Sequence, residues 1–169
     1  MSRLSPRARA LACVAMLALA GLVPHVATAG PRWRPWTPGL REAADSGRPV
    51  MVDVYTDWCG WCRRMDRDVY ERDDVRRYLD SHFVTVRLNA ESPEAAAYLG
   101  HDYTGRSLAS HFGVSGYPTT IFLRPGGEHL VNVPGYVQPD RFLLLLRYIG
   151  DGHMDRGESF EVFARDAQH

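Results

Sequence analysis

Residues 50–62 of this chain read VMVDVYTDWCGWC, an apolar run followed by two cysteines that are separated by two residues. The run from Val50 to Tyr55 predicts a buried strand. If the chain turns into a helix at Cys59, that sulfur lies over unpaired backbone N–H groups, whose hydrogen bonds and dipole favour a thiolate. Cys59 is therefore the predicted attacking nucleophile. Cys62 lies one helical turn further along the same face, within reach of a short disulfide, and is the predicted resolving thiol.

A dithiol of this kind can exchange two electrons with the disulfide of another protein. A purely structural disulfide is a weaker interpretation, because a bridge across two residues closes almost no loop and contributes little to folding. Zinc binding is weaker still. A closed zinc site needs four ligands, and the sequence offers neither a second cysteine pair nor a suitably spaced histidine pair. We therefore predict no metal and no cofactor.

The first 29 residues have the pattern of a cleavable secretory signal. Three arginines precede an apolar run over residues 10–23, and small residues at positions 27 and 29 suit cleavage before Gly30. An uncleaved membrane anchor is the alternative, but this run is shorter than the roughly 20 residues that a spanning helix needs. The pattern predicts export to the periplasm without stable membrane insertion. Cys13 would leave with the signal, so that one cysteine pair remains.

The remaining 140 residues, 30–169, suit one domain over 30–150 followed by a tail over 151–169. They contain 17 arginines and 20 carboxylate residues, which gives a formal charge of −3, and no lysine. This balance predicts no nucleic-acid binding.

Apolar periodicity and capping residues predict a β-α-β unit in the first half of this domain. Before the unit, Thr37 can cap a short helix that Gly47 ends. The predicted elements of the unit are a strand from Val50 to Thr56, a helix from Cys59 that breaks near Tyr70, a helix capped by Asp73, and a parallel strand over 83–88.

The second half is predicted to contain helices, a hairpin and more helices. Helix start signals occur at Ser92-Pro93 and at Thr104, so the segment between Asn89 and Gly113 is expected to be helix-rich. An antiparallel hairpin over 119–133, an apolar helix over 139–149 and a short surface helix near 160–163 follow. This order predicts an α/β fold with a central mixed sheet flanked by helices.

With these elements in place, the WCGWC centre resembles that of the thioredoxin superfamily, particularly exported thioredoxin-like proteins. The resemblance covers residues 40–149 and implies a thioredoxin-like fold. Besides the centre, the matching positions are the buried acid Asp53, the cis-proline loop Gly116-Tyr117-Pro118-Thr119, Gly135, and the Arg87-Leu88-Asn89 run, in which Arg87 replaces a lysine near the acid.

The sequence departs from the small thioredoxins at two places. The segment between Asn89 and Gly113 is longer, so an extra helix is expected to reshape the rim of the site. Trp61 stands where thioredoxin has a proline between its cysteines, which changes the expected reduction potential.

Asp53 is the predicted proton acceptor for the resolving thiol. Its alternation partners Met51 and Tyr55 are apolar, so the carboxyl group should be buried and its pKa raised. It could then accept the proton of Cys62 directly or through a water. Arg63 has two interpretations, as a positive charge beside the nucleophile or as an ordinary exposed helical arginine.

The predicted substrate-binding residues surround the cysteines. Trp58 and Trp61 would form an apolar collar around Gly60 that shields the thiolate and contacts the substrate, although Trp58 could instead pack in the core. The resemblance implies a cis bond before Pro118. That bond would expose the Tyr117 backbone beside the sulfurs, ready to pair with an extended substrate strand.

We therefore predict a periplasmic thiol:disulfide oxidoreductase that reduces disulfide-containing protein substrates and receives electrons from a membrane donor. The motif has no histidine between its cysteines, which favours a reducing centre over an oxidising one. Two alternatives stay open: reduction of apocytochrome c thiols before haem attachment, and a non-catalytic chaperone or adaptor that uses the same surface.

Overall fold

A computed structural model describes residues 30–167, so the predicted signal segment and its cleavage site lie outside the described residues. Within the described range, no helix has the length and apolar character needed to cross a membrane.

In chain order, the helices and strands are α1 (Trp36–Ser46), β1 (Val50–Tyr55), α2 (Gly60–Met65), a π-helical turn (Asp66–Tyr70), α3 (Asp73–His82), β2 (Val84–Asn89), β3 (Ala95–Tyr98), β4 (His101–Thr104), α4 (Gly105–His111), β5 (Thr119–Leu123), β6 (His129–Pro134), α5 (Pro139–Gly150) and α6 (Phe160–Asp166).

The central sheet has four strands in the order β2-β1-β5-β6. β1 pairs with β2 in parallel, while β5 runs antiparallel to both β1 and β6. The fold is therefore the predicted thioredoxin-like α/β arrangement, a mixed sheet flanked by helices. In this register Asp53 lies opposite Arg87 on β2 and opposite Thr120 on β5.

Two apolar cores lie on the two faces of the sheet. Alternation along β1 separates them, because Val50, Val52 and Val54 belong to one core and Met51 to the other. The first core includes side chains of α1, α4 and the β3–β4 hairpin, and the second includes side chains of α2, α3 and α5. Each fully buried aliphatic or aromatic side chain stabilises the fold by roughly 1.5–3 kcal/mol relative to its exposed state.

The residues before α1 cover the outer edge of β2. Arg34 forms a parallel bridge with Val86: its N–H donates to the Thr85 carbonyl at 2.9 Å, and its carbonyl accepts from the Arg87 N–H at 3.0 Å. The Arg34 guanidinium pairs with Glu42 of α1 at 2.6 Å and so fixes this segment against the helix. The backbone groups of β2 that face away from β1 therefore find partners here.

Two predicted helix caps are wrong, although both helices are present. α1 begins at Trp36, and its N-cap is Pro35, whose φ of −61° and extended ψ place the cap two residues before Thr37. α3 begins at Asp73, and its N-cap is Arg72, which has an extended ψ of 129° and makes no side-chain capping hydrogen bond. The predicted end of α1 is confirmed: Gly47 has a φ of 69° and donates its N–H to the Ala43 carbonyl.

The helix predicted from Ser92-Pro93 is also wrong, since residues 95–104 form the antiparallel β3–β4 hairpin. Leu99 and Gly100 both have positive φ, 48° and 82°, as a tight two-residue hairpin turn requires. Tyr98 anchors the hairpin, because its ring is buried against Trp36 and Phe112 and its hydroxyl donates to the Gly127 carbonyl at 2.8 Å.

The second start signal in this segment is confirmed. Thr104 caps α4 with a capping box, in which its hydroxyl accepts from the Ser107 N–H while the Ser107 hydroxyl accepts from the Thr104 N–H. Gly113, with a φ of 69°, follows the end of α4. The predicted hairpin over 119–133, the apolar helix α5 and the short surface helix α6 are likewise present.

Candidate active site

Cys59 and Cys62 are joined in a disulfide at the start of α2, with their Cα atoms 5.3 Å apart. Cys59 is the N-cap of the helix, and its sulfur accepts a hydrogen bond from the Cys62 backbone N–H at 3.0 Å. The turn before it is closed by the Cys59 N–H, which donates to the Thr56 carbonyl at 3.1 Å. The strand-to-helix geometry predicted for the motif is therefore present.

Both cysteines of the disulfide are buried. Cys59 is 4% exposed and Cys62 is 5% exposed. Cys62 shares the buried face of α2 with Met65.

Trp58 and Trp61 stand at the surface on the two sides of this disulfide, 65% and 55% exposed. The alternative in which Trp58 packs in the core is therefore wrong. Trp58 lies edge-on to Tyr117 with ring centroids 5.9 Å apart, and its indole N–H donates to the Glu91 carboxylate at 3.1 Å. This hydrogen bond fixes the orientation of an otherwise exposed ring.

Trp61 has its own aromatic partner on the other side. Its ring centroid is 5.7 Å from that of Tyr136, and the Arg64 guanidinium lies 5.2 Å from Trp61 and 5.4 Å from Tyr136. Such cation–π contacts are typically worth about 0.5–1 kcal/mol at exposed sites. We call Trp58, Tyr117, Trp61 and Tyr136 the aromatic rim.

Pro118 is buried, and the peptide bond between Tyr117 and Pro118 is cis. The Pro118 carbonyl accepts the Gly135 N–H at 2.8 Å, and the Thr119 hydroxyl donates to the Gly116 carbonyl at 2.8 Å, so both sides of the loop are anchored. Tyr117 itself forms no backbone hydrogen bond within residues 30–167. Its N–H and carbonyl are thus available beside the rim.

Asp53 is buried, 1% exposed, as the strand alternation predicts. One carboxylate oxygen accepts from the Tyr70 hydroxyl at 3.2 Å, and that hydroxyl lies 3.4 Å from the Thr120 hydroxyl. The other oxygen lies 3.3 Å from Nε of Arg87. Burial raises the pKa of Asp53 to about 7, although the positive charge of Arg87 and the Tyr70 hydrogen bond act in the opposite direction.

Arg87 holds two carboxylates at once. Its Nη2 donates to Asp66 of the π-helical turn, while its Nε faces Asp53 without an aligned hydrogen bond. The guanidinium lies over the rings of Trp33 at 4.6 Å and Tyr55 at 5.2 Å. It also lines a cavity of about 290 Å³ between the start of α1 and the loop after β2. Arg87 therefore connects the buried carboxyl group with that cavity.

Burial also raises the pKa of Asp66, with Arg87 acting against it. Asp53, Arg87 and Asp66 consequently form one charged network between β1, β2 and the helix that carries the cysteines. A proton gained or lost by either acid changes the electrostatic environment of the other.

Arg63 is an exposed residue that donates from Nη1 to the Asp57 carbonyl at 3.0 Å. A Cβ placed on Gly60 would lie 3.8 Å from its Nη2, so the guanidinium folds back over the start of α2. Its hydrogen bond goes to a backbone carbonyl, and neither Asp57 nor Asp66 pairs with it through a carboxylate.

Sequence reasoning missed several residues of the site. Tyr70, whose ring is buried, reaches Asp53 because the π-helical turn after α2 displaces it from regular helical spacing. Thr56 is 2% exposed, and its hydroxyl has no partner within the described residues, directly before the motif. The buried strand would normally continue with an apolar side chain at this position. The threonine found there instead is the one sequence signal that could have indicated Thr56.

Within residues 30–167, no group of three or more histidine, cysteine and carboxylate side chains is placed to hold a metal ion.

The amino-acid sequence of this chain is similar to those of a known domain family and of several known proteins. A family profile described as a thioredoxin-like domain matches residues 38–150. The chain is 35% identical over 109 residues to the thiol:disulfide interchange protein DsbD of Ralstonia nicotianae, an alignment that covers 64% of this chain and 16% of that protein. A second DsbD, from Yersinia enterocolitica, is 30% identical over 104 residues, which are 60% of this chain and 16% of that protein. The chain thus spans about one sixth of the length of these relatives.

Solved structures show the same fold. A thioredoxin from Thermus thermophilus superposes with a TM-score of 0.63 at 29% identity, covering 76% of this chain and 94% of that one. A thioredoxin-fold protein from Helicobacter pylori gives a TM-score of 0.62 at 20% identity, with 73% and 81% covered. The family match and the DsbD relatives, together with the cysteine pair, support thiol:disulfide oxidoreductase activity in general.

Proposed function

Because this chain belongs to the thioredoxin-like domain family, we propose that it is an exported thiol:disulfide oxidoreductase that reduces protein disulfides in the periplasm. The proposal includes a signal over residues 1–29, a catalytic domain over 30–150 and a C-terminal tail. The single observation that carries it is the Cys59–Cys62 disulfide at the start of α2, next to a strand that buries Asp53. The similarity to DsbD supports disulfide exchange, since that relative is named a thiol:disulfide interchange protein.

The reaction needs the dithiol form of the pair. The Cys59 thiolate attacks one sulfur of a substrate disulfide, a mixed disulfide forms, and the other substrate sulfur leaves as a thiolate. The Cys62 thiol loses its proton and attacks the Cys59 sulfur, which releases the second substrate thiolate and restores the disulfide seen here. Two electrons pass from the pair to the substrate. A donor of two electrons, which we propose is a membrane protein, must then reduce the pair again.

Asp53 is suited to accept the proton of Cys62. A carboxyl group with a pKa of about 7 is partly ionised at neutral pH, so it can take up and release a proton there. An ordinary exposed carboxylate would be too weak a base for a thiol proton. Arg87 limits the rise of this pKa, which keeps part of the Asp53 population ionised.

The reducing direction is proposed because Gly60 and Trp61, the residues between the cysteines, carry no charge that would stabilise a thiolate. Known centres extend from about −270 mV for reductases to about −120 mV for strong oxidants. We expect the Cys59/Cys62 couple in the lower half of this range. Equilibration with glutathione or dithiothreitol buffers, followed by alkylation of free thiols, measures it directly. A potential near −120 mV would contradict the reductase proposal and favour disulfide formation.

Substrate trapping tests the assigned roles of the cysteines. The variant Cys62→Ser should accumulate mixed disulfides with periplasmic proteins, because Cys59 can attack but nothing resolves the complex. The matched control Cys59→Ser should accumulate none. If both variants trap nothing and partners still bind when both cysteines are replaced, the adaptor function is correct and the reductase function is not.

The proposed export is tested separately. The N-terminal sequence of the protein recovered from the periplasmic fraction should begin at Gly30. Recovery of the uncleaved chain in the membrane fraction would instead indicate an anchor.

A further inference from the structure

A second cavity lies between the outer strand β6, helix α5 and the C-terminal tail. Its volume is about 270 Å³, near the lower end of the range of about 300–1,000 Å³ typical of ligand sites. Val131 and Val133 of β6 and Leu145 of α5 form part of its wall. The lining is almost wholly apolar, unlike that of the cavity beside Arg87.

The rest of the wall comes from the C-terminal tail, beyond the family match that ends at residue 150. Met154 and Phe160 close the cavity from this side. The tail is firmly attached, because the buried Phe163 packs on Tyr148 at 5.7 Å and on His153 at 4.3 Å. The Tyr148 hydroxyl donates to a tail carbonyl, that of Glu158. This chain therefore builds the cavity with a segment that the family domain does not include.

Arg141 is the only charged residue of the lining. Its guanidinium lies 5.1 Å from the ring centroid of Phe160, at the edge of the apolar wall. Within residues 30–167, no carboxylate lies within 4 Å of it, whereas Arg72 pairs with Asp140, the residue before it. A half-buried apolar wall with one exposed guanidinium at its edge complements a ligand with an apolar chain and an anionic end.

We propose that this cavity binds a single-chain fatty carboxylate, with the chain against β6 and α5 and the carboxylate on Arg141. A polar ligand would find few partners, because the Tyr148 hydroxyl is already bonded to the tail. A cationic ligand would meet Arg141. The modest volume suits one acyl chain rather than the two chains of a phospholipid.

Titration of the purified protein with hexanoate, octanoate and decanoate, below their micellar concentrations, tests the proposal. Affinity should rise by about fourfold for each added methylene, because each buried methylene contributes about 0.8 kcal/mol. The rise should stop once the cavity is filled. Chemical shifts of the Val131, Val133 and Leu145 methyl groups report where the ligand binds. Absence of saturable binding, or shifts elsewhere, would overturn the proposal.

Variants separate the role of the charge from that of the cavity. Arg141→Gln should weaken decanoate binding about tenfold and leave decan-1-ol binding unchanged, because only the carboxylate uses the guanidinium. Arg147→Gln, on the same helix but outside the lining, is the control and should change neither ligand. Equal losses for both ligands, or from both variants, would refute the assigned role of Arg141.

Two further measurements complete the test. Leu145→Trp should fill the cavity and abolish binding of both ligands while thermal melting shows a folded protein; retained binding would place the ligand elsewhere. Anionic phospholipid vesicles should not bind the protein in an Arg141-dependent manner. If they do, the face is a membrane-binding surface and the fatty carboxylate site is refuted.

Discussion

Asp53 is 1% exposed and lies against Tyr70 and Arg87, whereas Trp58 and Trp61 are 65% and 55% exposed. Asp53 lies on β1, the strand that precedes the cysteines, and the two tryptophans lie within the cysteine motif itself. In the buried group, loss of solvation is the largest influence and raises the pKa of Asp53 to about 7. In the exposed group, the rings retain apolar surface that a partner can cover.

This contrast assigns different tasks to the two regions. The buried network should control when a proton moves, and so the pH dependence and rate of exchange. The aromatic rim should control which partner binds. Variants of one region should therefore leave the property of the other unchanged, and four experiments test this separation.

The largest effect is expected in the pH dependence of stability. The pKa of Asp53 rises from 3.8 in the unfolded chain to about 7 in the fold, so the folded protein retains a proton that the unfolded chain loses. The stability contributed by the protonated carboxyl group is complete below pH 4 and falls as the pH rises to 7, by about 4 kcal/mol in total. Denaturant unfolding of the wild type and Asp53→Asn should show this difference in slope between pH 4 and 7. Parallel curves would indicate an ordinary pKa for Asp53.

Asp53→Asn should also slow the chemistry. If Asp53 is the proton acceptor as proposed, its removal should reduce the rate at which Cys62 resolves the mixed disulfide by about 100-fold at neutral pH, since general base catalysis typically contributes that much or more. Rapid-quench alkylation measures the mixed disulfide directly. Asp57→Asn, an exposed carboxylate close in sequence, is the control. An unchanged resolution rate would remove Asp53 from the mechanism.

Arg87→Gln should raise the pKa of Asp53 further, by about one unit, because an opposite charge at this distance normally lowers an acid's pKa by 1–3 units. The inflection in the pH–rate profile of resolution reports this pKa. Arg87→Lys keeps the charge and should move the inflection less. If both variants shift it equally, the charge of residue 87 is not what matters.

The smallest effects are expected at the aromatic rim. Trp58→Ala and Trp61→Ala should each raise the KM for protein disulfides about fivefold, a loss common for contact residues of an interface. Exchange with a small disulfide such as oxidised glutathione and the pH–rate profile should stay unchanged. Leu99→Ala, another exposed apolar residue on the β3–β4 turn, is the control. An altered pH profile in the tryptophan variants would break the separation between the two regions.

The sequence was sufficient for the parts of the site that follow from local pattern. Alternation along β1 predicts the burial of Asp53, and the cysteine spacing predicts the disulfide at the start of a helix. Tyr70 could not be found in this way, because its contact with Asp53 depends on a π-helical turn that no residue of 66–70 signals. The sequence also could not predict that Arg87 contacts both Asp53 and Asp66, because these contacts depend on the tertiary structure.

The segment at 95–104 shows where local pattern misleads. Ala95-Ala96-Ala97 has high helix propensity, yet it forms β3 because Tyr98 and Ala96 gain burial in the core and Trp36 donates its indole N–H to the Ala97 carbonyl at 2.9 Å. Helix propensities of ordinary residues differ by less than 1 kcal/mol per residue. Burial of one tyrosine ring stabilises the fold by more than that. The turn at Leu99-Gly100 was the local signal that favoured the hairpin.

The short segment before α1 protects the edge of the sheet, so its removal by proteases should matter for aggregation. A strand edge without partners is a template for pairing with another molecule, and here Arg34 alone supplies the bridge that occupies the outer edge of β2. Processing before Gly30 would leave only four residues ahead of this bridge. Trimming that continues past Arg34 should therefore open β2 to edge-to-edge aggregation, even though every cysteine and every rim residue would still be in place.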